Sequence, residues 1–261
     1  MRLKGAVVVI TGASSGIGAA TALAFARAGS RLELGARRLD RLNGVAQQCR
    51  QAGSPGVNVR LLDVGQRGSA RSFVAAATRD HERLDVLVNN AGVGWRGRLQ
   101  LMPEDKVDEL IATNLKGVIA TTQAALPWMI ERRRGVIINV SSVVGFRAAP
   151  YSALYSATKH AVAGLSHALR GELSGTGVKV CVVYPGPTAG TEFTGQQEPG
   201  FQYPASWVAN LIVRTARVPR RDAMVAPIRL AHLAEPVFGG LMDHAIGEVR
   251  RRGVEGPDVP R

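Results

Sequence analysis

The sequence predicts an α/β fold, a doubly wound parallel sheet with helices on both faces, and three observations predict it. Short β-branched runs alternate with longer Ala- and Leu-rich segments, the order expected when crossover helices join parallel strands. Several of the short runs are almost continuously apolar, as strands of a sheet covered on both faces require. No Pro- or Gly-rich linker divides the chain before residue 253, so we expect one domain over residues 1–252 and a flexible tail over residues 253–261.

The elements follow from this alternation in chain order. The β-branched and apolar runs predict strands at residues 6–11, 31–36, 58–62, 86–89, 136–141 and 179–184. The Ala- and Leu-rich segments between them predict helices at about residues 17–28, 39–52, 67–79, 104–131 and 153–173. Residues 187–206 hold many Gly, Pro and Thr directly after the sixth strand, where open α/β sheets place ligand-binding loops, and we expect a substrate lid there. Residues 226–252 are expected to form an amphipathic C-terminal helical extension.

Composition and charge narrow the class of protein. The 261 residues are 46% hydrophobic and 20% charged, which is a globular composition. A net charge of +13 makes an acidic partner or substrate worth considering. The longest basic runs, residues 132–134 and 250–252, are short and suit the last turn of a helix, so nucleic-acid binding is the lesser alternative.

Cysteine usage and the N-terminal segment indicate the compartment. Cys49 and Cys181 each stand alone, so neither a CxxC metal pair nor a disulfide framework is predicted, and no metal site is expected. The N-terminus resembles the start of a signal peptide, but its apolar run is short and lacks a cleavage site. No stretch approaches the roughly 18 apolar residues of a membrane span. We expect a cytoplasmic protein without integral membrane association.

The first predicted strand leads into a glycine-rich turn, TGASSGIG, and then into an Ala-rich helix. Glycines let the backbone approach a pyrophosphate, and the helix N-terminus adds amide donors and the positive end of its dipole. A glycine trio alone is equally consistent with an ordinary tight turn. The strand before it and the helix after it favour a nucleotide-binding loop, whose candidate residues are Gly12, Ser14, Ser15, Gly16, Ile17 and Gly18.

The TGxxxGxG spacing and several later motifs resemble the short-chain dehydrogenase/reductase family. Those motifs follow in the family's order between residues 5 and 188: Asp63-Val64, Asn89-Asn90-Ala91-Gly92, Asn114, Ser142, Tyr155-xxx-Lys159 and Pro185-Gly186. The resemblance implies a Rossmann fold, a nicotinamide cofactor and oxidoreductase chemistry. It further implies three regions of cofactor contact: adenine beside Asp63 and Val64, a groove lined by Asn90, Ala91 and Gly92, and a nicotinamide end beside Pro185, Gly186 and Thr188.

Tyr155 and Lys159 are four residues apart, so on a helix they share one face and can reach one ligand. A phenol with the ordinary pKa of about 10 is a poor base at neutral pH unless a nearby cation favours the phenolate. Lys159, helped by an oxidised nicotinamide, can supply that charge, which makes Tyr155 a candidate general acid/base. Without their partners, an edge Tyr and a solvated Lys on an amphipathic helix would be the better interpretation.

Two further residues complete a candidate catalytic set. Ser142 ends a predicted strand at the carboxyl edge of the sheet, where its hydroxyl can donate to a substrate oxygen as negative charge develops. The alternative role, satisfying a local turn, is assigned to the neighbouring Ser141. The resemblance implies that Ser142 is catalytic and that Asn114 holds a water connecting Lys159 to solvent. A buried helical Asn bonded to backbone is compatible with that role of Asn114.

The end of the second strand indicates the cofactor. An NAD site usually has an acidic side chain about 20 residues after the glycines, whereas an Arg there accommodates a 2′-phosphate. Here Ala36 stands at that position and Arg37 and Arg38 follow, which predicts NADP(H). Glu33 lies inside the strand, too early to bind the ribose. Arg37 is the stronger candidate, since Arg38 could simply begin a solvated helix.

The substrate is predicted only as a class. Eight aromatic residues fall between positions 146 and 207, which favours a mainly apolar pocket for a ketone or secondary alcohol: Phe146, Tyr151, Tyr155, Tyr184, Phe193, Phe201, Tyr203 and Trp207. Trp95 could join this pocket. Three arginines, Arg96, Arg98 and Arg147, are weaker indications of an acidic substrate. Thr191 lies one residue later after Pro185 than the family's Thr, so the lid geometry stays open.

The predicted function is NADP(H)-dependent hydride transfer between nicotinamide and a small-molecule ketone or secondary alcohol. An NADP-binding redox sensor without turnover, or an isomerase or epimerase using the same site, are the alternatives. The resemblance implies a homodimer or homotetramer formed through helices near residues 104–131 and 153–173. The C-terminal extension could cover the pocket, pair with another subunit or, as the last choice, rest on a membrane surface.

Overall fold

The computed structural model of the protein describes residues 1–191 and 202–224. The predicted C-terminal extension at 226–252, the tail at 253–261 and the middle of the predicted lid at 192–201 lie outside the described residues. Among the described helices, none has both the length and the apolar character that crossing a membrane would need.

Seven parallel strands form one sheet over the described residues, in the order β3-β2-β1-β4-β5-β6-β7. Their bounds are β1 (Val7–Thr11), β2 (Arg31–Ala36), β3 (Val57–Leu61), β4 (Val86–Asn89), β5 (Gly135–Val140), β6 (Val178–Val183) and β7 (Asp222–Ala223). The chain builds outward from β1 to β3 and then returns to place β4 on the other side of β1. A crevice at the carboxyl ends of strands is expected at this reversal.

The described residues form seven α-helices: α1 (Gly16–Arg27), α2 (Leu39–Gln51), α3 (Arg67–His81), α4 (Glu104–Ile111), α5 (Gly117–Glu131), α6 (Ala153–Glu172) and α7 (Ala205–Arg217). A π-helical turn, Ala112–Lys116, joins α4 to α5. Helices α1, α2 and α7 pack on one face of the sheet, and α3, α5 and α6 pack on the other. The doubly wound α/β fold is therefore confirmed.

Strand alternation explains how one sheet supports two apolar layers. Val8 and Ile10 of β1 are buried in the layer that holds Phe25 of α1, whereas Val9 between them is buried in the layer that holds Met129 of α5. Side chains that alternate between faces and are buried on both require a continuous apolar run. The register of the sheet is thus specified from both sides.

The structure corrects three element predictions. The helix predicted at 104–131 is interrupted by the π turn at Ala112–Lys116, because the side chain at position 114 bonds to a neighbouring segment. Helix α7 was not predicted, and because it begins at Ala205, the loop predicted over 187–206 ends before that residue. Strand β7 has only two residues, too few to produce an alternating pattern. The six predicted strands are confirmed to within one residue at each end.

Candidate functional site

A cavity of about 1020 Å³ lies at the carboxyl ends of the central strands. This volume is at the upper end of the range of about 300–1,000 Å³ for small-molecule sites. Of the predicted site residues, all except Asn114 line it: Gly12, Ser14, Ser15, Gly16, Ile17, Gly18, Arg37, Arg38, Asp63, Val64, Asn90, Ala91, Gly92, Ser142, Tyr155, Lys159, Pro185, Gly186 and Thr188. Motifs far apart in the sequence therefore converge on one space.

The glycine loop is held in place from the neighbouring strand. Asn90, just after β4, donates through Nδ2 to the carbonyl oxygens of Thr11 at 3.0 Å and Gly12 at 3.1 Å. A Cβ on Gly18 would overlap the Gly12 carbonyl oxygen and lie 2.6 Å from the Asn90 amide nitrogen. Only glycine fits at position 18, so the first turn of α1 can lie directly against the loop.

The N-terminus of α1 is open toward the cavity. Ser15 is the N-cap residue, but its side chain does not cap the helix. Its Oγ instead accepts a hydrogen bond of 2.9 Å from Arg38 Nη2. The first-turn amides of α1 are therefore left for an anionic ligand, and they fit the pyrophosphate of a dinucleotide.

The two arginines after β2 have different partners. Arg38 is tied to Ser15 of the glycine loop, as described above, whereas Arg37 Nη1 lies 3.4 Å from Glu109 Oε1 of α4. Glu33 lies outside the cavity and is completely buried; its Oε1 is 2.5 Å from Arg60 Nε and its Oε2 accepts from Asn58 at 3.1 Å. Thus no carboxylate of β2 reaches the cavity, and both cations at the end of β2 line it.

Lys159 places a buried cation beside Tyr155 on α6. Its Nζ donates to the Val140 carbonyl oxygen at 2.9 Å and lies 5.7 Å from the centroid of the Tyr155 ring. Burial lowers the pKa of Lys159 from 10.5 to about 8. The ammonium form still predominates at pH 7, so the phenol faces a positive charge that water hardly screens.

The two serines after β5 differ in local bonding from the prediction, which assigns the local turn to Ser141. Ser142 Oγ accepts from the Val144 backbone N–H at 3.3 Å, so the local turn belongs to Ser142. Ser141 is buried and donates to the Lys159 carbonyl oxygen at 2.9 Å, which fixes α6 to the end of β5. The prediction for Ser141 was wrong because its side chain points into the packed α6 interface. Ser142 Oγ is only the acceptor of the turn bond, so its O–H can still donate a hydrogen bond to a ligand.

Asn114 lies behind the cavity, completely buried in the π turn. Its Oδ1 accepts from Val93 N at 2.9 Å, and its Nδ2 donates to Val93 O at 2.9 Å and to Thr158 Oγ1 at 3.2 Å. A Cβ on Gly92 would lie 3.3 Å from Asn114 Oδ1 and 3.5 Å from Lys159 Nζ. The Asn and the Lys therefore flank the same glycine, and the Asn side chain bonds mainly to backbone.

The segment after β6 closes the opposite side of the cavity. Thr188 Oγ1 donates to Gly186 O at 2.8 Å, and Thr191 Oγ1 donates to Thr188 O at 2.8 Å. Thr191 lines the cavity, and its methyl carbon would lie 3.2 Å from a Cβ added to Gly16. Thr191 is not among the site residues predicted from the sequence, because the extra residue after Pro185 breaks the expected spacing. The sequence signal that could have identified Thr191 is its place in the segment that follows Pro185-Gly186.

The aromatic wall predicted for the substrate is largely absent from the described lining. Phe146 packs edge-to-face on Tyr184, with centroids 5.7 Å apart, and Tyr203 packs on Trp207 at 6.2 Å. None of these four rings lines the cavity, and Phe193 and Phe201 lie outside the described residues. Trp95 and Tyr155 are the aromatic side chains of the described lining.

Comparisons with known proteins match this arrangement. A family model described as short chain dehydrogenase matches residues 6–200. The 3-oxoacyl-[acyl-carrier-protein] reductase FabG of Thermotoga maritima is 41% identical over 187 residues, 71% of this chain and 75% of that protein. An alcohol dehydrogenase from the archaeon Thermococcus sibiricus, complexed with 5-hydroxy-NADP, is 32% identical with a TM-score of 0.78, covering 85% of this chain and 96% of that one. A short chain dehydrogenase/reductase from Burkholderia phymatum, in complex with NAD, is 25% identical with a TM-score of 0.83, covering 93% and 96%.

Proposed function

Since the chain belongs to the short-chain dehydrogenase/reductase family of oxidoreductases, we propose that it is an NADP(H)-dependent enzyme acting on a ketone or secondary alcohol. The observation that carries this proposal is the placement of Tyr155 and the buried Lys159 cation in the same cavity as the open N-terminus of α1. Acid/base groups and an anion site in one crevice suit chemistry on a substrate held beside a dinucleotide.

The lining residues divide into a cofactor part and a catalytic part. The first-turn amides of α1 would hold the pyrophosphate, and Arg37 and Arg38 would pair with the 2′-phosphate. Asp63 and Val64 would border the adenine, while Pro185, Gly186 and Thr188 would meet the nicotinamide. When bound, the nicotinamide supplies or accepts the hydride.

The catalytic side chains would bind the substrate oxygen and transfer its proton. Tyr155 would give its phenolic proton to the oxygen in the reductive direction and take it back in the oxidative direction. Lys159 would bind the nicotinamide ribose, and its charge would favour the phenolate of Tyr155. Ser142 would donate a hydrogen bond to the same oxygen as negative charge develops there, and Asn114 would support proton delivery behind Lys159.

The substrate class follows from the lining and from the relatives. Trp95, Val143 and Val144 are apolar members of the cavity lining, which supports an apolar substrate. The related FabG is a 3-oxoacyl reductase and a structural neighbour is an alcohol dehydrogenase, so carbonyl and alcohol carbons are the proposed reacting centres. We also propose that the protein is cytoplasmic and forms a homodimer or a homotetramer. Light scattering on the purified protein would test the oligomeric state.

The first experiment is a thermal-shift titration with NADPH, NADP, NADH and NAD, since a ligand of the native state raises the unfolding temperature. We expect the larger shift from the phosphorylated pair, followed by NADPH consumption with an aliphatic or aromatic ketone. Tyr155→Phe should keep the cofactor shift and lower turnover by at least about 100-fold. Wild-type turnover by this variant, or a larger shift with NADH, would contradict the proposal. Conversion of substrate without net NADPH consumption would indicate an isomerase instead.

A further inference from the structure

The Arg37 guanidinium contacts an acidic side chain from a distant part of the chain. Glu109 lies on α4, 72 residues after Arg37, and its Oε1 is 3.4 Å from Arg37 Nη1. The other carboxylate oxygen, Oε2, accepts a hydrogen bond of 2.8 Å from Lys106 Nζ, one turn earlier on α4. The three side chains form a cation–anion–cation row beside the cofactor cavity, and Arg37 is the member that lines it.

The carboxylate of this row carries its charge at neutral pH. The hydrogen bond from Lys106, aided by the charges of Lys106 and Arg37, holds the pKa of Glu109 below its usual value. The Lys106 bond is also shorter than the Arg37 contact by 0.6 Å, as the two distances of 2.8 Å and 3.4 Å show. Lys106 therefore keeps the carboxylate in place even if the guanidinium turns toward a ligand.

We propose that Glu109 is a specificity-determining residue for the cofactor, whose carboxylate offsets the Arg37 charge and so weakens the preference for a 2′-phosphate over a 2′-hydroxyl. The inference rests on the proposed use of NADP(H). A phosphate on Arg37 would face the Glu109 carboxylate across one guanidinium, and like charges at that separation repel each other. A ribose hydroxyl carries no charge and would not feel this repulsion.

The geometry also limits the size of the effect. The Arg37 side chain is 59% exposed and that of Glu109 is 30% exposed, so water and salt screen the repulsion. A change of about three- to tenfold in affinity is the scale expected for one unit charge at such a partly exposed site. This is enough to shift the choice between two cofactors without deciding it alone.

The test measures binding by isothermal titration, with NADP and NAD as the probes. Glu109→Gln keeps the shape of the side chain and removes its charge, and it should tighten NADP binding about three- to tenfold while NAD binding changes less than about twofold. Raising the ionic strength should reduce the NADP effect. Lys106→Met, which leaves the carboxylate without its neutralising partner, should weaken NADP binding.

Asp108→Asn is the matched control, because it removes one negative charge from the exposed side of the same helix. An NADP-to-NAD affinity ratio unchanged by Glu109→Gln, or shifted equally by Asp108→Asn, would overturn the inference and leave NADP(H) use standing. Failure of the wild-type protein to bind either dinucleotide would overturn the proposed function and this inference together. Circular dichroism on each variant checks that the partly exposed substitutions leave the fold intact.

Discussion

Lys159 is a cation that folding removes almost completely from water. Its Nζ has one hydrogen-bond acceptor among the described residues, the Val140 carbonyl oxygen, and no carboxylate among them forms an ion pair with it. The resulting desolvation lowers its pKa to about 8 and therefore costs stability in the protein without ligand. A charge kept at such a cost is typical of functional sites, where the ligand or the reaction uses it.

The sign of this cost can be tested with Lys159→Met. The unfolded lysine titrates near 10.5 and the folded one near 8, so between these values the unfolded state binds more protons. The penalty is complete below pH 8 and disappears as the pH rises toward 10.5. We expect urea unfolding at pH 7 to show the variant about 1–3 kcal/mol more stable, with the difference shrinking by pH 9.5.

Lys179→Met is the matched control for this prediction, because Lys179 is an exposed lysine on β6. Its effect on the unfolding free energy should be small and should not change between pH 7 and pH 9.5. A Lys159→Met variant that is less stable than wild type at pH 7, or a difference that does not narrow with pH, would show that burial does not penalise the ammonium.

At the scale of elements, the π turn at Ala112–Lys116 carries the least expected feature of the site. It joins α4 to α5 and directs the Asn114 amide toward Val93, which follows β4, and toward Thr158 of α6. One side chain thereby connects three segments behind the cavity. A π turn inside a helix is a common feature of functional sites, and here its widened turn makes these bonds possible.

Asn114→Leu tests how much this connection stabilises the fold. The substitution leaves the Val93 N–H and C=O without their side-chain partner, and a buried unsatisfied group costs about 1–3 kcal/mol. We expect a loss of about 2–4 kcal/mol in the free energy of unfolding, measured by urea denaturation. Thr158→Val removes the 3.2 Å bond that Thr158 Oγ1 accepts from Asn114 Nδ2 and the 2.8 Å bond that it donates to the Tyr155 carbonyl oxygen, and this should cost less, about 1 kcal/mol. Equal losses for the two variants would contradict the central position assigned to Asn114.

Sequence patterns predicted the elements that depend on local periodicity and missed those that depend on contacts between distant residues. The strand β1, the glycine loop and α1 could be predicted because their apolar run, glycines and alanines act within one short segment. The π turn could not be predicted, since it accompanies the two hydrogen bonds between Asn114 and Val93, which lie far apart in the sequence. That Ser142 and not Ser141 makes the local turn bond depends equally on long-range packing, since Ser141 bonds to α6.

Helix α7 shows a second reason for a missed element. Its buried residues Val208, Ile212 and Ala216 recur every four positions, which is a helical pattern. The pattern is short and follows a Gly- and Pro-containing segment, and no element is predicted for it from the sequence. Only the structure shows that this stripe is covered by the same layer that buries α1.

At the scale of the whole molecule, the sheet edge farthest from β3 is tied to the helix that carries Tyr155. Asp222 of β7 accepts hydrogen bonds through Oδ1 from His167 at 3.0 Å and Arg170 at 3.3 Å, both on α6, and from the Tyr184 hydroxyl at 3.2 Å. Burial opposes ionisation of Asp222, yet the hydrogen bond from His167 and the charge of Arg170 keep its pKa below the usual value. The charged carboxylate thus anchors the edge of the sheet to α6.

The cavity proposed to hold the cofactor uses the whole central part of the sheet, because the segments after β1 to β6 all contribute to its lining. A dinucleotide that binds only this assembled crevice should stabilise the complete fold, by about 2.7 kcal/mol at a ligand concentration of 100 times Kd. Arg37→Ala tests the stabilisation by bound ligand apart from the stability of the protein without ligand. The Arg37 side chain is 59% exposed, so its removal takes nothing from the apolar core.

We therefore expect Arg37→Ala to leave the unfolding temperature of the protein without ligand within about 1 °C of wild type, since exposed substitutions cost little. The variant should lose most of the NADP-induced shift and keep the NAD-induced shift. Differential scanning fluorimetry at equal ligand concentrations measures both, and Arg71→Ala, an exposed arginine of α3 outside the cavity, serves as the charge-matched control. An equal loss of both shifts would mean that Arg37 supports the cofactor loop as a whole, and an unchanged NADP shift would assign the phosphate contact to Arg38 and its partner Ser15.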